Sequence, residues 1–336
     1  MSNKTVLILR DKIPVNAAED LLDNEAESFF IAAALKKLGF RVEVRVFDLY
    51  EIQALIIDLM RLNPLFVVNL VETVDGSTAM SFLPCSLLDN LHIKYTGSDS
   101  WAMVTTINKT LTKKMLSSIG VRTPEWLEIS GSGSFIPGER YILKPVNEDG
   151  SLYIDNSSLV RSESAEELQT LLSRKSAEWG GECFAERFIA GREFNISILG
   201  HKGEPVVLPV AEMLYSGYEK MHLPEILTYD AKWCKGSFEY ENSRRSFTLY
   251  PKDQELIGQM SEIARKCWKH YRLKGYARID FRVDKQSIPW LIEINTNPCI
   301  ADDSGFVASA QKAGLSIEEL VRKIILEADS ELYIPQ

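Results

Sequence analysis

The residues best suited to chemistry lie in one stretch, YARIDFRVDKQSIPWLIEIN, from Tyr276 to Asn295. Ala277, Ile279, Phe281 and Val283 alternate with Arg278, Asp280, Arg282 and Asp284, the period of a half-buried strand. Trp290, Ile292 and Ile294 alternate with Leu291, Glu293 and Asn295 in the same way. With Lys285 to Ile288 as the loop, the strands pair so that Ile279 faces Ile294, Phe281 faces Ile292 and Val283 faces Trp290. Asp280 then falls opposite Glu293, and Arg278 opposite Asn295. Two carboxylates directly across a ladder repel unless something neutralises them. A divalent cation does so, and two carboxylates plus one amide oxygen are hard donors that suit magnesium bound with nucleotide phosphates. Arg278 beside them is placed to stabilise a transferring phosphoryl group or a tetrahedral intermediate. A solvated amphipathic hairpin shows the same alternation, so the rest of the chain has to decide.

The 336 residues are 45% hydrophobic and 25% charged, which allows two or three subdomains with cores of their own. A net charge of -9 argues against a protein built to coat nucleic acid or an anionic membrane. No apolar run approaches the roughly 18 residues of a membrane span, and MSNKTVLILRDK lacks the apolar length and cleavage site of a signal peptide. Five cysteines with no C-x-x-C pair point to a reduced, cytoplasmic protein. Four scattered histidines suggest no zinc site.

The first hundred residues alternate strand and helix signals, which favours a parallel sheet. Strands are expected at Val6–Leu9, Arg41–Phe47 and Leu65–Leu70, and helices at Glu25–Leu38 and Glu51–Leu62. A helix from Trp101 to Ile119 stops at Gly120. Short strands follow from Tyr141, with helices near Ser164–Arg174 and Gln254–Tyr271. Ser130 to Gly138 is a loop without the lysine of a P-loop, and neither G-x-x-x-x-G-K-[ST] nor G-x-G-x-x-G occurs.

Six blocks stand in order along the chain: YTGS at Tyr95, NKTLTKKML with a trailing VRTP, YILKPVNEDGS, AERFIAGREFNISILG, YDAKW, and the hairpin followed by NTNPCIADDSGF. From Tyr95 to Leu320 the chain thereby resembles the ATP-grasp superfamily, within it the D-alanine–D-alanine ligase-like branch. The resemblance implies an ATP-grasp fold of α/β and α+β class. Its parts are an N-terminal Rossmann-like (pre-ATP-grasp) α/β domain over residues 1–99, a small lobe over 100–189, and a large lobe over 190–336 with the metal and catalytic residues.

Position by position, the resemblance makes Lys109 and Lys144 the lysines on the ATP phosphates. Asn147 to Tyr153 looks like the glycine-containing loop that closes over them, with Gly150 backbone and the Ser151 hydroxyl on the γ-phosphate. Glu186 corresponds to the acid that accepts from the adenine amino group, backbone from Arg187 to Ile189 completes the hinge, and Glu193 holds the ribose. Asp280, Glu293 and Asn295 match the ligands for Mg2+ or Mn2+, the trio already found from strand register. Arg278 matches the arginine that steadies the acyl-phosphate, Lys232 a lysine near the γ-phosphate, and Ser304 a serine on the substrate carboxylate. For each there is a plainer reading, such as a solvated lysine, a turn or a surface ion pair.

The implied reaction joins a small-molecule carboxylate to an amine through an acyl-phosphate, with release of ADP and phosphate. It needs no side-chain nucleophile, and Cys299 reads as a small buried thiol. Related ligases are often dimers, so a homodimer is an expectation.

Three departures bear on the substrates. Where D-alanine enzymes have a glycine-rich turn with a glutamate after the first strand, this chain reads LRDKIPVNAAED. Asp11, Glu19, Asp20 or Glu72, at the end of NLVE, is left to receive an amine. The tyrosine expected after Lys232 is Trp233. Pro298-Cys299-Ile300-Ala301 replaces Pro-Gly-Met-Thr, and Asp302 and Asp303 precede Ser304, either receiving an amine-bearing substrate or capping a helix. Three functions are therefore carried forward: a carboxylate–amine ligase for amino acids or peptides, a true D-alanine–D-alanine ligase, and a non-catalytic ATP-binding protein.

Overall fold

A computed structural model describes residues 4–14, 16–17 and 19–332, with Asp20 described for its backbone alone. β1 (Thr5–Arg10) is followed by α1 (Glu19–Lys37), β2 (Arg41–Val46), α2 (Ile52–Leu62) and β3 (Val67–Asn69). β1 lies between β2 and β3 and runs parallel to both, since each helix carries the chain back to the starting edge. Its VLIL run is buried on two faces. Val6 and Ile8 share a core with α1, Leu7 and Leu9 another with α2.

After α3 (Leu83–Asn90), the single helix expected from Trp101 to Ile119 is two, α4 (Ser100–Ile107) and α5 (Lys109–Ser118). Asn108 makes the break. Its backbone, at φ -78° and ψ 100°, is extended, and its side-chain oxygen accepts from the Leu111 amide as the cap of α5. The neighbouring Lys109 amide donates to the Val146 carbonyl at 2.9 Å. Ala102, Leu116 and Val121 carry both helices into the core of the large sheet described below.

β4 (Trp126–Glu128), β5 (Arg140–Pro145), β6 (Leu159–Arg161) and β7 (Cys183–Arg187) form an antiparallel sheet in the order β4-β7-β5-β6. α6 (Ala165–Trp179), capped by Ser164, covers it with Leu168 and Leu172. The large antiparallel sheet contains β8 (Arg192–His201), β9 (Glu204–Val207), β10 (Ala211–Tyr215), β11 (Ser243–Ser246), β12 (Tyr276–Val283) and β13 (Pro289–Asn295). Its order is β11-β10-β8-β12-β13, with β9 also on β8. Two short helices, α7 (Tyr229–Trp233) and α8 (Phe238–Asn242), lie between β10 and β11. α9 (Gln254–His270) covers the apolar face through Leu256, Met260, Ala264 and Cys267, about one turn apart. α10 (Gly305–Lys312) and α11 (Ile317–Ala328) pack on β8, and α11 also on α1, joining the parallel sheet to the large one. No described helix is long and apolar enough to cross a membrane.

The β12–β13 hairpin pairs as expected at its chemical end: Arg278 with Asn295, Ile279 with Ile294, Asp280 with Glu293. Beyond that point a bulge between Asp280 and Phe281 shifts the ladder. Phe281 pairs with Leu291 instead of Ile292, and Val283 with Pro289 instead of Trp290. The extra residue lets Leu291 and Ile294, three apart, both enter the core, while Ile292 turns to the cavity.

Candidate active site

A cavity of about 1000 Å³ opens between the three sheets. It is lined by every residue that the sequence offered for the nucleotide, the metal and the reaction, and also by Glu72, Asp303, Ser304 and Asp11. Glu19 and Asp302 are exposed and outside it. The Asp20 side chain lies outside the described residues. The cap of α10 is Ser304, whose hydroxyl accepts from the Val307 amide, so Asp302 and Asp303 do not cap it.

At the hairpin, the repulsion between Asp280 and Glu293 is balanced by cations of the chain itself. Arg278 clasps the Asp280 carboxylate, Nε at 2.9 and 3.1 Å and Nη2 at 2.8 Å, and Asn195 Nδ2 donates to it at 2.8 Å. Burial opposes ionisation of Glu293, but Lys109, Lys232 and Arg278 outweigh it and hold the carboxyl at about 2. Asn295 Oδ1 accepts from the Asn297 amide at 2.9 Å. No group of three or more His, Cys, Asp or Glu among the described residues forms a ready metal cage. Two carboxylate side chains and an amide oxygen still fit magnesium, which binds through one or two carboxylates and keeps water and phosphate as its other ligands.

The loop from Asn147 to Tyr153 is tied across this centre. Lys109, buried by the break at Asn108, donates to the Glu148 carbonyl at 2.6 Å and to Asp149 at 2.7 Å. Burial lifts Asp149 to about 6 against the pull of Lys109, with Glu293 adding to the rise. The Ser151 hydroxyl, expected on a phosphate, donates here to the Leu227 carbonyl at 2.7 Å, and Trp233 Nε1 donates to the Gly150 carbonyl at 2.9 Å. Gly150 and Ser151 both have positive φ, 67° and 63°, a turn that aims backbone into the cavity.

At the far end, Glu186 sits between two ammonium groups, Lys144 at 2.6 Å and Lys113 at 2.5 Å. Burial would raise its carboxyl, but the two lysines hold it below its ordinary value. Lys113 is pushed down to about 8 by burial, because one carboxylate serves two cations. Lys113 lies within the NKTLTKKML block, where the resemblance gives it no role; it sits on the buried side of α5. Arg187 pairs with Glu125 and stacks on Trp290. Ile189 is buried, and its carbonyl accepts from Arg282 Nε at 3.0 Å. Arg282 also fixes Glu193 at 3.0 Å, with Tyr215 donating to the same oxygen at 2.7 Å. Gly191, whose carbonyl accepts from Arg282, leaves no room for a side chain: a Cβ there would lie 2.1 Å from the Val283 carbonyl oxygen.

The end under the parallel sheet is acidic. Asp11 is not free to bind an amine, since it accepts from the Glu72 and Thr73 amides and the Thr73 hydroxyl. Glu27 accepts from the Ile300 amide and is lifted by burial to about 8. Glu72, which lines the cavity, is raised by burial and then by Glu27, Asp11 and Asp23. Cys299 lies 3.2 Å from Asp23, its thiol raised by burial and these acids. Neither Glu27 nor Asp23 carried a motif. Opposite them, Lys232 has its pKa lowered by burial and by Arg278.

The family model described as D-ala D-ala ligase C-terminus matches residues 141–326. The D-alanine--D-alanine ligase of Aquifex aeolicus is 33% identical over 245 residues, 71% of this chain and 75% of that protein. That of Bordetella petrii is 28% identical over 258 residues, 74% of this chain and 72% of that one. Among solved structures, the D-alanine--D-alanine ligase from Bacillus anthracis complexed with ATP has a TM-score of 0.69 at 20% identity, covering 97% of both chains, a likeness of fold.

Proposed function

The chain belongs to the D-alanine–D-alanine ligase family of ATP-grasp enzymes, which form carbon–nitrogen bonds, and on that premise we propose that it joins two amino acids or peptides through an acyl-phosphate. The observation that carries this reading is one cavity with three electrostatic regions: lysines at the nucleotide end, Asp280 and Glu293 beside Arg278 at the centre, and acidic side chains under the parallel sheet. An amino acid with its ammonium at Glu72 directs its own carboxylate towards the centre.

In this mechanism Glu186 and backbone from Arg187 to Ile189 hold the base, Glu193 the ribose, and Lys109 and Lys144 the phosphates. Asp280, Glu293 and Asn295 would hold magnesium or manganese, which would supply charge neutralisation at the phosphates. The donor carboxylate attacks the γ-phosphorus in line, the bond to the β–γ bridging oxygen breaks, and ADP leaves. The acceptor amine then attacks the acyl carbon, Arg278 and Lys232 offset charge on the tetrahedral oxygen, and phosphate departs with one oxygen of the donor carboxylate. Ser151 and Gly150 close over the phosphates once the Leu227 contact is released. The units expected for this work, 1–99, 100–189 and 190–336, are supported by the three separate sheets, with α4 and α5 bridging the last two.

D-alanyl-D-alanine is the second reading, favoured by the names of the relatives at 33% and 28% identity. The missing N-terminal glutamate motif and the use of Asp11 as a backbone clamp speak for other substrates. Phosphate release from ATP across D- and L-amino acids, dipeptides and amines separates the possibilities. The proposal expects release only when a carboxylate and an amine are both present, and release with D-alanine alone selects the second reading. ATP binding without release for any pair contradicts both and leaves a nucleotide-binding protein. Glu72→Gln is expected to raise the donor KM about tenfold or more with the KM for ATP unchanged, by removing a charge partner for the ammonium. An unchanged donor KM would move the ammonium elsewhere.

A further inference from the structure

We propose that Asp149 competes with the nucleotide phosphates for Lys109, so that it sets the affinity for ATP and ADP and ties their binding and release to a swing of its own loop. The proposal rests on the ligase reading above, which puts the phosphates on Lys109, and gives a role to a loop residue to which the resemblance assigns none. Asp149 Oδ1 accepts from Lys109 Nζ at 2.7 Å, and its carboxyl lies within hydrogen-bond reach of Glu293. All three side chains line the cavity. Asp149 therefore stands between the lysine expected on the phosphates and a carboxylate expected on the metal. A phosphate oxygen bound to that lysine and to that metal needs the same place.

Lys109 does not serve both anions at once. Its side chain is 8% exposed, and the loop takes two of its three N–H donors, one through Asp149 and one through the Glu148 carbonyl at 2.6 Å. Among the described residues, Lys109 is the one cation in an ion pair with Asp149. Once a phosphate takes the ammonium, Asp149 faces both Glu293 and the phosphate without a counter-charge, and like charges so close repel. The remaining contacts of the loop with the α7 side are neutral and weaker: Ser151 to the Leu227 carbonyl and Trp233 to the Gly150 carbonyl. The loop conformation also carries strain, since Ser151 and Tyr153 both lie at φ 63°, backbone that a residue with a side chain adopts at a cost. Glu148 is anchored separately, by the Thr78 hydroxyl at 2.8 Å, which leaves residues 149–153 as the part that swings. The swing takes Asp149 off Lys109 and frees Ser151 from Leu227 for the phosphates, and the return of Asp149 to Lys109 favours the release of ADP.

The test measures binding of ATP, ADP and adenosine to the full chain by calorimetry, with magnesium present. Asp149→Asn keeps the size of the side chain and an oxygen for Lys109, but it removes the competing charge. It is expected to lower the dissociation constants of ATP and ADP about tenfold, and to leave that of adenosine, which has no phosphate, within about twofold of wild type. Asp149→Ser, which removes the carboxyl group altogether, is expected to act in the same direction, and adenosine binding checks that each variant has folded around the base. ATP and ADP affinities that stay unchanged in variants that still bind adenosine would overturn the proposal. Weaker affinities would overturn it as well, and would make Asp149 a partner of the metal instead of a rival of the phosphates. Equal tightening for adenosine would do the same, because the effect would not come through the phosphates. A wild type that binds no nucleotide would bring down the ligase reading and this proposal with it, whereas variants that bind no tighter than a nucleotide-binding wild type leave the ligase reading standing.

Discussion

Asp280→Asn is expected to lower kcat by about 10²- to 10³-fold in a protein that still folds. Asp280 is one of two carboxylates at the centre, and Glu293 is the other. The substitution keeps size and hydrogen-bonding capacity, but it removes the charge that holds the Arg278 fork and that a divalent cation needs. It also turns an amide N–H towards a guanidinium, where both groups are donors. The loss should therefore appear in kcat and in the magnesium concentration needed for half activity, with the KM for ATP changed much less. Parallel thermal unfolding checks the fold, since Glu293 stays near Arg278 and keeps it from being left without an acid. A kcat within a few-fold of wild type would take Asp280 out of the phosphoryl-transfer centre.

The largest effect on stability is expected at Glu186. Its side chain is 3% exposed and serves Lys113, at 1%, and Lys144, at 12%. Glu186→Gln leaves two buried ammonium groups without a counter-charge and should cost about 3–5 kcal/mol, read by denaturant unfolding. Lys113→Met is expected to behave oppositely, close to neutral, because the excess cation goes and Lys144 keeps its partner. Equal destabilisation by both variants would contradict the shared-carboxylate account. The acid limb follows in sign. The folded carboxyl lies below its ordinary 4.5, so its contribution is complete above that value and drains as pH falls through the lower, folded one.

What was legible in the sequence was what repeats locally or pairs at short range. The apolar alternation of β12 and β13 set Asp280 against Glu293 correctly, because hairpin partners lie close in the chain. The same alternation failed past Asp280, since a bulge adds one residue without a mark in hydropathy. Helix periodicity ran through Asn108, although an asparagine before a lysine is also a cap, and only the cap buries Lys109. Lys113, Asp149 and Arg282 were hidden for another reason. Their partners Glu186, Glu293 and Glu193 lie on other elements far along the chain, and no local pattern records such a pairing. Glu27, within the helix expected from Glu25 to Leu38, carries no local mark of burial; its contact with the Ile300 amide, far along the chain, places it inside.

The central claim, that an acyl-phosphate forms on a substrate carboxylate, is tested most directly by oxygen transfer. Donor substrate labelled with 18O in its carboxylate is turned over with ATP and the acceptor, and the released phosphate is weighed by mass spectrometry. The account predicts ADP as the nucleotide product and one 18O atom in each phosphate. Phosphate without label, or label appearing in AMP, would contradict it.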